Sequence, residues 1–232
     1  MNRARVWRSK LCPSSPYPPI EVLTGPCDDQ ICLDLNRTFS GESWFESHME
    51  TLRNILNTFS VVNEGFGYPQ GLNYLAFPLF YVYYKDNPDT AVEDTFYSLQ
   101  TMVRVVLPLY PLDAKDTNAL AMIRSVTNLV ILQCYEKEPS LSILLSDTHQ
   151  PFVQSIVSSI LPTLYANVFS LHDTLLLWDD ILSHSCRDMF KASVRILVRS
   201  ILFHRKMFTH MSVDKSMQLF QQTLRESISI CL

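Results

Sequence analysis

From residue 43 onward, apolar side chains recur at steps of three and four along almost the whole chain. That period lets one face of a helix be buried while the other stays in water. Over 43–60 the buried face is Trp44, Leu52, Ile55, Leu56 and Phe59, and the wet face is Glu46, Glu50, Arg53 and Asn57. The same spacing predicts helices over 90–107, 115–137, 150–169, 172–184, 187–208 and 213–229. Residues that open helices stand before several of them: Ser40 or Ser43, then Asp89 or Thr90, then Asp147 or Thr148 ahead of Pro151. Long alternating runs and Gly-Asn hairpin turns are scarce, so no strand is needed and the fold class is all-α. At 232 residues the chain suits one multi-helix domain spanning 1–232.

The helical pattern fails at Pro13 to Pro26, "PSSPYPPIEVLTGP", which holds five of the thirteen prolines. Proline lacks the N–H and clashes with the preceding turn, so this segment is an irregular surface connection. Glycine is concentrated too: Gly65, Gly67 and Gly71 are three of the five in the chain. Their clustering in "GFGYPQGLN" marks a sharp turn or a close backbone approach.

Composition excludes several functions. A net charge of −4, with charged residues at 18%, leaves no basic footprint for nucleic acid. Cys12, Cys27, Cys32, Cys134, Cys186 and Cys231 form no CxxC pair, and "MNRARVWRSK" has no apolar signal core, so free thiols in a reducing compartment, the cytosol, are expected. The most apolar run, Tyr74 to Tyr84, has eleven residues including Pro78, against the ~20 that a membrane-spanning helix needs. It reads as a buried helix. P-loop, dinucleotide, GxSxG, HExxH and EF-hand patterns are absent. His184 with Cys186, and His204 with His210, lack a third ligand at metal-binding spacing.

Two segments carry chemistry. In "ICLDLNRTF", Ile31, Asp34 and Arg37 recur at steps of three, so on a continuous helix Asp34 could brace the Arg37 guanidinium. The plain alternative is an exposed ion pair worth ~0–1 kcal/mol. In the glycine cluster, Pro69 stiffens the chain and Gly67 and Gly71 let it bend, presenting the Gln70 amide at the entrance of a helix that begins near Leu72. Alone, that segment is also consistent with an ordinary turn.

Taken in order, the segments resemble the TBC-domain family, the GTPase-activating proteins of Rab small GTPases. "RARVW" matches RxxxW through Arg3 and Trp7. "ICLDLNRT" matches IxxDxxR through Ile31, Asp34 and Arg37, followed by Thr38. "YPQGLN" matches YxQ through Tyr68 and Gln70, with Gly71 and Asn73, and "LLLWDDIL" supplies the late Trp178-Asp179 pair.

The resemblance implies an all-helical domain that supplies two catalytic side chains in trans. Arg37 would offset charge on the transferring phosphoryl group, and Gln70 would orient the attacking water. Asp34 would support Arg37, while Gly67 and Gly71 would let the Gln70 loop approach the nucleotide. Tyr68 would anchor that loop or touch the GTPase, and Arg3, Trp7, Ile31, Asn73, Trp178 and Asp179 would be structural. No cofactor of its own is implied, because GTP and Mg2+ would be held by the partner, a Rab-family GTPase. Neither nucleic acid nor direct membrane insertion is expected; the protein would be cytoplasmic, reaching endomembranes through the Rab. A helical module that docks a Rab or another partner without accelerating hydrolysis fits the same motifs.

Overall fold

A computed structural model describes residues 2–38, 43–111, 116–210, 215, 219–220 and 222–224. They form helices and connecting turns, with no strand among the described residues. The chain groups into two compact units, Met1–Val105 and Val106–Leu232.

The first unit opens with α1 (Arg3–Leu11), capped by the Asn2 side chain, which accepts from the Arg5 N–H at 3.1 Å. After the irregular segment come α2 (Asp28–Leu35), α3 (Ser43–Val62), α4 (Leu72–Asp86) and α5 (Ala91–Val106). Trp7, Ile31, Leu52, Phe59, Leu75, Phe77 and Leu99 meet in its core, each fully buried. Residues 13–26 are irregular, as their prolines demand, but they are pinned down. The Leu23 N–H donates to Thr58 Oγ1 at 3.0 Å, Tyr17 stacks on Tyr97 at 3.9 Å, and the Gly25 backbone lies where a Cβ would stand 2.6 Å from Val61.

Beneath these elements Arg8 donates from Nε to Asp94 Oδ2 at 2.9 Å and from Nη1 to Asp86 Oδ2 at 3.0 Å. The Asp94 side chain is fully buried, and Ser15 and Thr90 hydroxyls donate to it as well. The Arg8 guanidinium lies 5.2 Å from the Tyr83 ring centre, a cation–π distance.

The second unit contains α6 (Thr117–Lys137), α7 (Gln150–Ile160), α8 (Leu171–Ile181), α9 (Cys186–Phe203) and α10 (Arg205–His210). α6 packs against α7 and α9, and α8 against α9. The helix expected over 150–169 stops at Ile160. Pro162 follows, and Leu164 and Tyr165 take left-handed backbone angles (φ 47° and 70°). Such angles disfavour side-chain-bearing residues by roughly 1–2 kcal/mol each. The turn is held by Trp178 Nε1, which donates to the Leu164 carbonyl at 2.8 Å. The Tyr165 hydroxyl donates to the Ser193 carbonyl at 2.7 Å, and the Tyr110 hydroxyl to the Pro162 carbonyl at 3.0 Å. The stretch 187–208 is likewise divided, at His204, whose Nδ1 donates to the Ser200 carbonyl at 2.8 Å.

Most of 213–229 lies outside the described residues, as does Ser40. The other helix openings differ in part from expectation. Asn87, rather than Asp89 or Thr90, caps the short 3-10 turn Pro88–Thr90 that leads into α5. His149, rather than Asp147 or Thr148, stands before α7, without a side-chain capping bond.

Candidate functional site

α2 is fixed by its first residue. Asp28 accepts from Arg53 Nε at 2.7 Å and Nη2 at 2.5 Å, and from Asn57 Nδ2 at 2.6 Å. The fork-on-carboxylate geometry locks α2 to α3 and holds the Asp28 carboxyl down at about 2, chiefly through the Arg53 hydrogen bond and then that of Asn57. An acid at a helix N-terminus also suits the helix dipole. This pairing corrects the expected wet face of α3: Asn57 is buried and Arg53 half-buried because both turn toward Asp28.

At its other end α2 does not continue through Arg37. It stops at Leu35, and the chain tightens into a turn in which the Arg37 N–H donates to the Asp34 carbonyl at 3.1 Å and the Thr38 N–H to the Leu35 carbonyl at 3.0 Å. These three-residue steps are 3-10-like. The expected Asp34–Arg37 side-chain pair is not found among the described residues. The Asp34 carboxylate instead accepts from Gln30 Nε2 at 3.1 Å and from the Tyr68 hydroxyl at 3.1 Å. Asp34 supports Arg37 through its main-chain carbonyl. The Arg37 side chain is exposed and has no hydrogen bond or ion pair among the described residues.

The Gln70 segment follows α3 through a turn closed by the Gly67 N–H on the Asn63 carbonyl at 2.8 Å. Gly67 takes a left-handed φ of 59°. The Leu72 N–H then donates to the Pro69 carbonyl at 3.2 Å, closing a turn with Gln70 second and Gly71 third. Gly71, at φ 96° and ψ −3°, has the angles a type II turn requires at its third position, which only glycine adopts readily. Gln70 thus stands at the tip, exposed and without a side-chain hydrogen bond among the described residues, immediately before α4.

The two turns are joined by a polar network. Tyr68 donates to Asp34 and lies 3.4 Å from Asn73 Oδ1. Asn73 Nδ2 donates to Thr38 Oγ1 and, at 3.4 Å, to the Asp34 carbonyl, to which Thr38 also donates at 2.7 Å. Asp34, Thr38 and Asn73 are 6%, 1% and 2% exposed, so these bonds are shielded from competing water. Ile31 packs in the core beneath them.

Arg3 lies 6.0 Å above the buried Trp7 ring. In the second unit Trp178 is fully buried, while Asp179 is exposed. Among the described residues no three His, Cys, Asp or Glu side chains converge as a metal ion would require. Cys12, Cys27, Cys32 and Cys134 are free thiols, and burial pushes the Cys134 thiol up to about 12. Among the described residues no helix is long and apolar enough to cross a membrane.

The motif reading passed over Gln30 and the clamp of Asp28, Arg53 and Asn57. Gln30 had a local signal, being one helical turn before Asp34. The clamp joins residues 25 and 29 positions apart, and no local pattern marks it.

The helical architecture and the two joined turns place the protein among all-α folds with a polar, exposed site. A family model described as the Rab-GTPase-TBC domain matches residues 22–206, which include both turns and Trp178. The chain belongs to the Rab-GTPase-TBC domain family. It is 25% identical over 171 residues to growth hormone-regulated TBC protein 1 of Rattus norvegicus, covering 71% of this chain and 54% of that protein. The chain thus spans about half the length of that curated relative. The crystal structure of the Ypt/Rab-GAP domain of Gyp1p shares the fold, with a TM-score of 0.70 at 16% identity over 99% of this chain and 78% of that one.

Proposed function

We propose that the protein accelerates GTP hydrolysis by a Rab-family small GTPase, supplying Arg37 and Gln70 to the partner's active site. One observation carries this reading: the two side chains expected to act are exposed, without side-chain hydrogen bonds or ion pairs among the described residues, on turns tied together by one buried network. A guanidinium with no partner among the described residues can meet phosphate oxygens, and its planar fork and permanent charge suit them better than an ammonium. Gln70, at the tip of a tight turn, would offer a carbonyl and an amide to the attacking water. Phosphoryl transfer depends on positioning and charge stabilisation more than on proton transfer by the protein, so neither residue needs a shifted pKa. GTP and Mg2+ would be held by the GTPase.

The proposal is tested by assembling the protein with Rab·GDP, Mg2+ and aluminium fluoride, a mimic of the transferring phosphoryl group. Transition-state mimics recruit groups that act in the transition state. The complex should form with wild-type protein and weaken sharply in Arg37→Ala. Equal complex formation by a folded Arg37→Ala would contradict the role given to Arg37.

A further inference from the structure

We infer that Thr38 is a positioning residue for the two catalytic side chains, its hydroxyl being the joint between the Arg37 turn and the Gln70 loop. This inference rests on the activator reading above. A threonine hydroxyl has one proton and two acceptor sites. Thr38 Oγ1 gives its proton to the Asp34 carbonyl at 2.7 Å and accepts the Asn73 amide, so one atom touches both α2 and α4.

The arrangement also sets which way Asn73 faces. With the Thr38 proton directed to the Asp34 carbonyl, the oxygens of Thr38 and Asp34 both present lone pairs, and only the Nδ2 end of Asn73 can meet them. Its Oδ1 is then turned toward the Tyr68 hydroxyl at 3.4 Å, two residues before Gln70. A flipped amide would oppose oxygen to oxygen at the Thr38 and Asp34 end. Thr38 is next to Arg37 in the chain and is 1% exposed, so it cannot itself touch a bound GTPase without rearrangement. Its influence on rate would pass through the geometry of Arg37 and Gln70.

The test uses a Rab that the wild-type protein stimulates, with Thr38→Val, Thr38→Ser and Tyr68→Phe. Valine matches threonine in shape and removes only the hydroxyl. Misplacement of a catalytic group by about 1 Å can lower a rate by about 100-fold, so Thr38→Val should lower the maximal stimulated rate by roughly 10–100-fold. Affinity for the Rab loaded with a non-hydrolysable GTP analogue should change little. Thr38→Ser should keep most of the rate. A merely structural role would lower the melting temperature of Thr38→Val and leave the rate per folded molecule at the wild-type value, which overturns the inference. If Thr38→Val melts below the assay temperature, Tyr68→Phe carries the test from the half-buried end of the network. It should show a smaller fall of the same kind, and a wild-type rate from folded Tyr68→Phe overturns the inference. Wild-type protein that stimulates no Rab overturns the activator reading and this inference with it, whereas a stimulated Rab insensitive to Thr38→Val overturns the positioning role alone.

Discussion

Arg8→Met should destabilise the protein far more than loss of an ordinary surface charge. Methionine keeps much of the length and apolar stem of the arginine but removes the guanidinium. The fully buried Asp94 carboxylate would keep only the Ser15 and Thr90 hydroxyls, and Asp86 and the Tyr83 ring would lose the same cation. Leaving a buried charge without its ionic partner destabilises by about 3–5 kcal/mol. For a chain of this size that corresponds to a fall in melting temperature of roughly 6–20 °C. Urea unfolding should show a lower midpoint with an unchanged slope. Asp94→Asn added to Arg8→Met should recover part of the loss, since it removes the orphaned charge. A single-variant loss under about 1 kcal/mol, the range of exposed pairs, would refute the reasoning, as would a second substitution that only adds to the damage.

The Asp28 carboxyl, held at about 2 in the folded protein, contributes stability that is present above its ordinary range near 4 and lost as pH falls through about 2. Unfolding midpoints measured from pH 5 to 2 should fall less steeply for Asp28→Asn than for wild type, and parallel curves would contradict the clamp. Gly71→Ala puts a Cβ on a residue at φ 96° and should destabilise by about 1–2 kcal/mol while lowering any stimulated GTPase rate; an unchanged melting curve would contradict the turn assignment. Trp178→Phe leaves the Leu164 carbonyl without its donor inside the core, about 1–3 kcal/mol from that group alone, read as a lower urea midpoint.

Much of the fold was legible because it depends on local period. The spacing of Trp44, Leu52, Ile55 and Phe59 predicts 43–60 and α3 runs Ser43–Val62; 115–137 is met by Thr117–Lys137, with Asp116 as its cap. The early end of α7 was less legible. Pro162 signalled it locally, but the left-handed angles at Leu164 and Tyr165 depend on partners at Trp178 and Ser193, which a period cannot reveal. At the candidate site Gln70 stands immediately before α4 as the spacing suggested, and Gly67 and Gly71 have the positive φ values their clustering implied. The partner of Asp34 did not follow from spacing. A three-residue step presumes a helix through Arg37, whereas the chain turns at Leu35 and the carboxylate meets Tyr68, 34 positions away. The burial of Asn57 is illegible for the same reason: periodicity reports a polar residue as wet and cannot see Asp28 approach it.

The measurement that tests the central claim most directly is single-turnover GTP hydrolysis by a panel of purified Rabs, with wild-type protein, Arg37→Ala and Gln70→Ala. An arginine supplied in trans to a GTPase is worth roughly 10³–10⁵ in rate. The account expects wild-type protein to stimulate one or a few Rabs, and Arg37→Ala to lose nearly all of that stimulation while still binding the Rab. Gln70→Ala should lose most of it. A folded wild-type protein that binds a Rab without speeding hydrolysis, or stimulation that survives in Arg37→Ala, would contradict it.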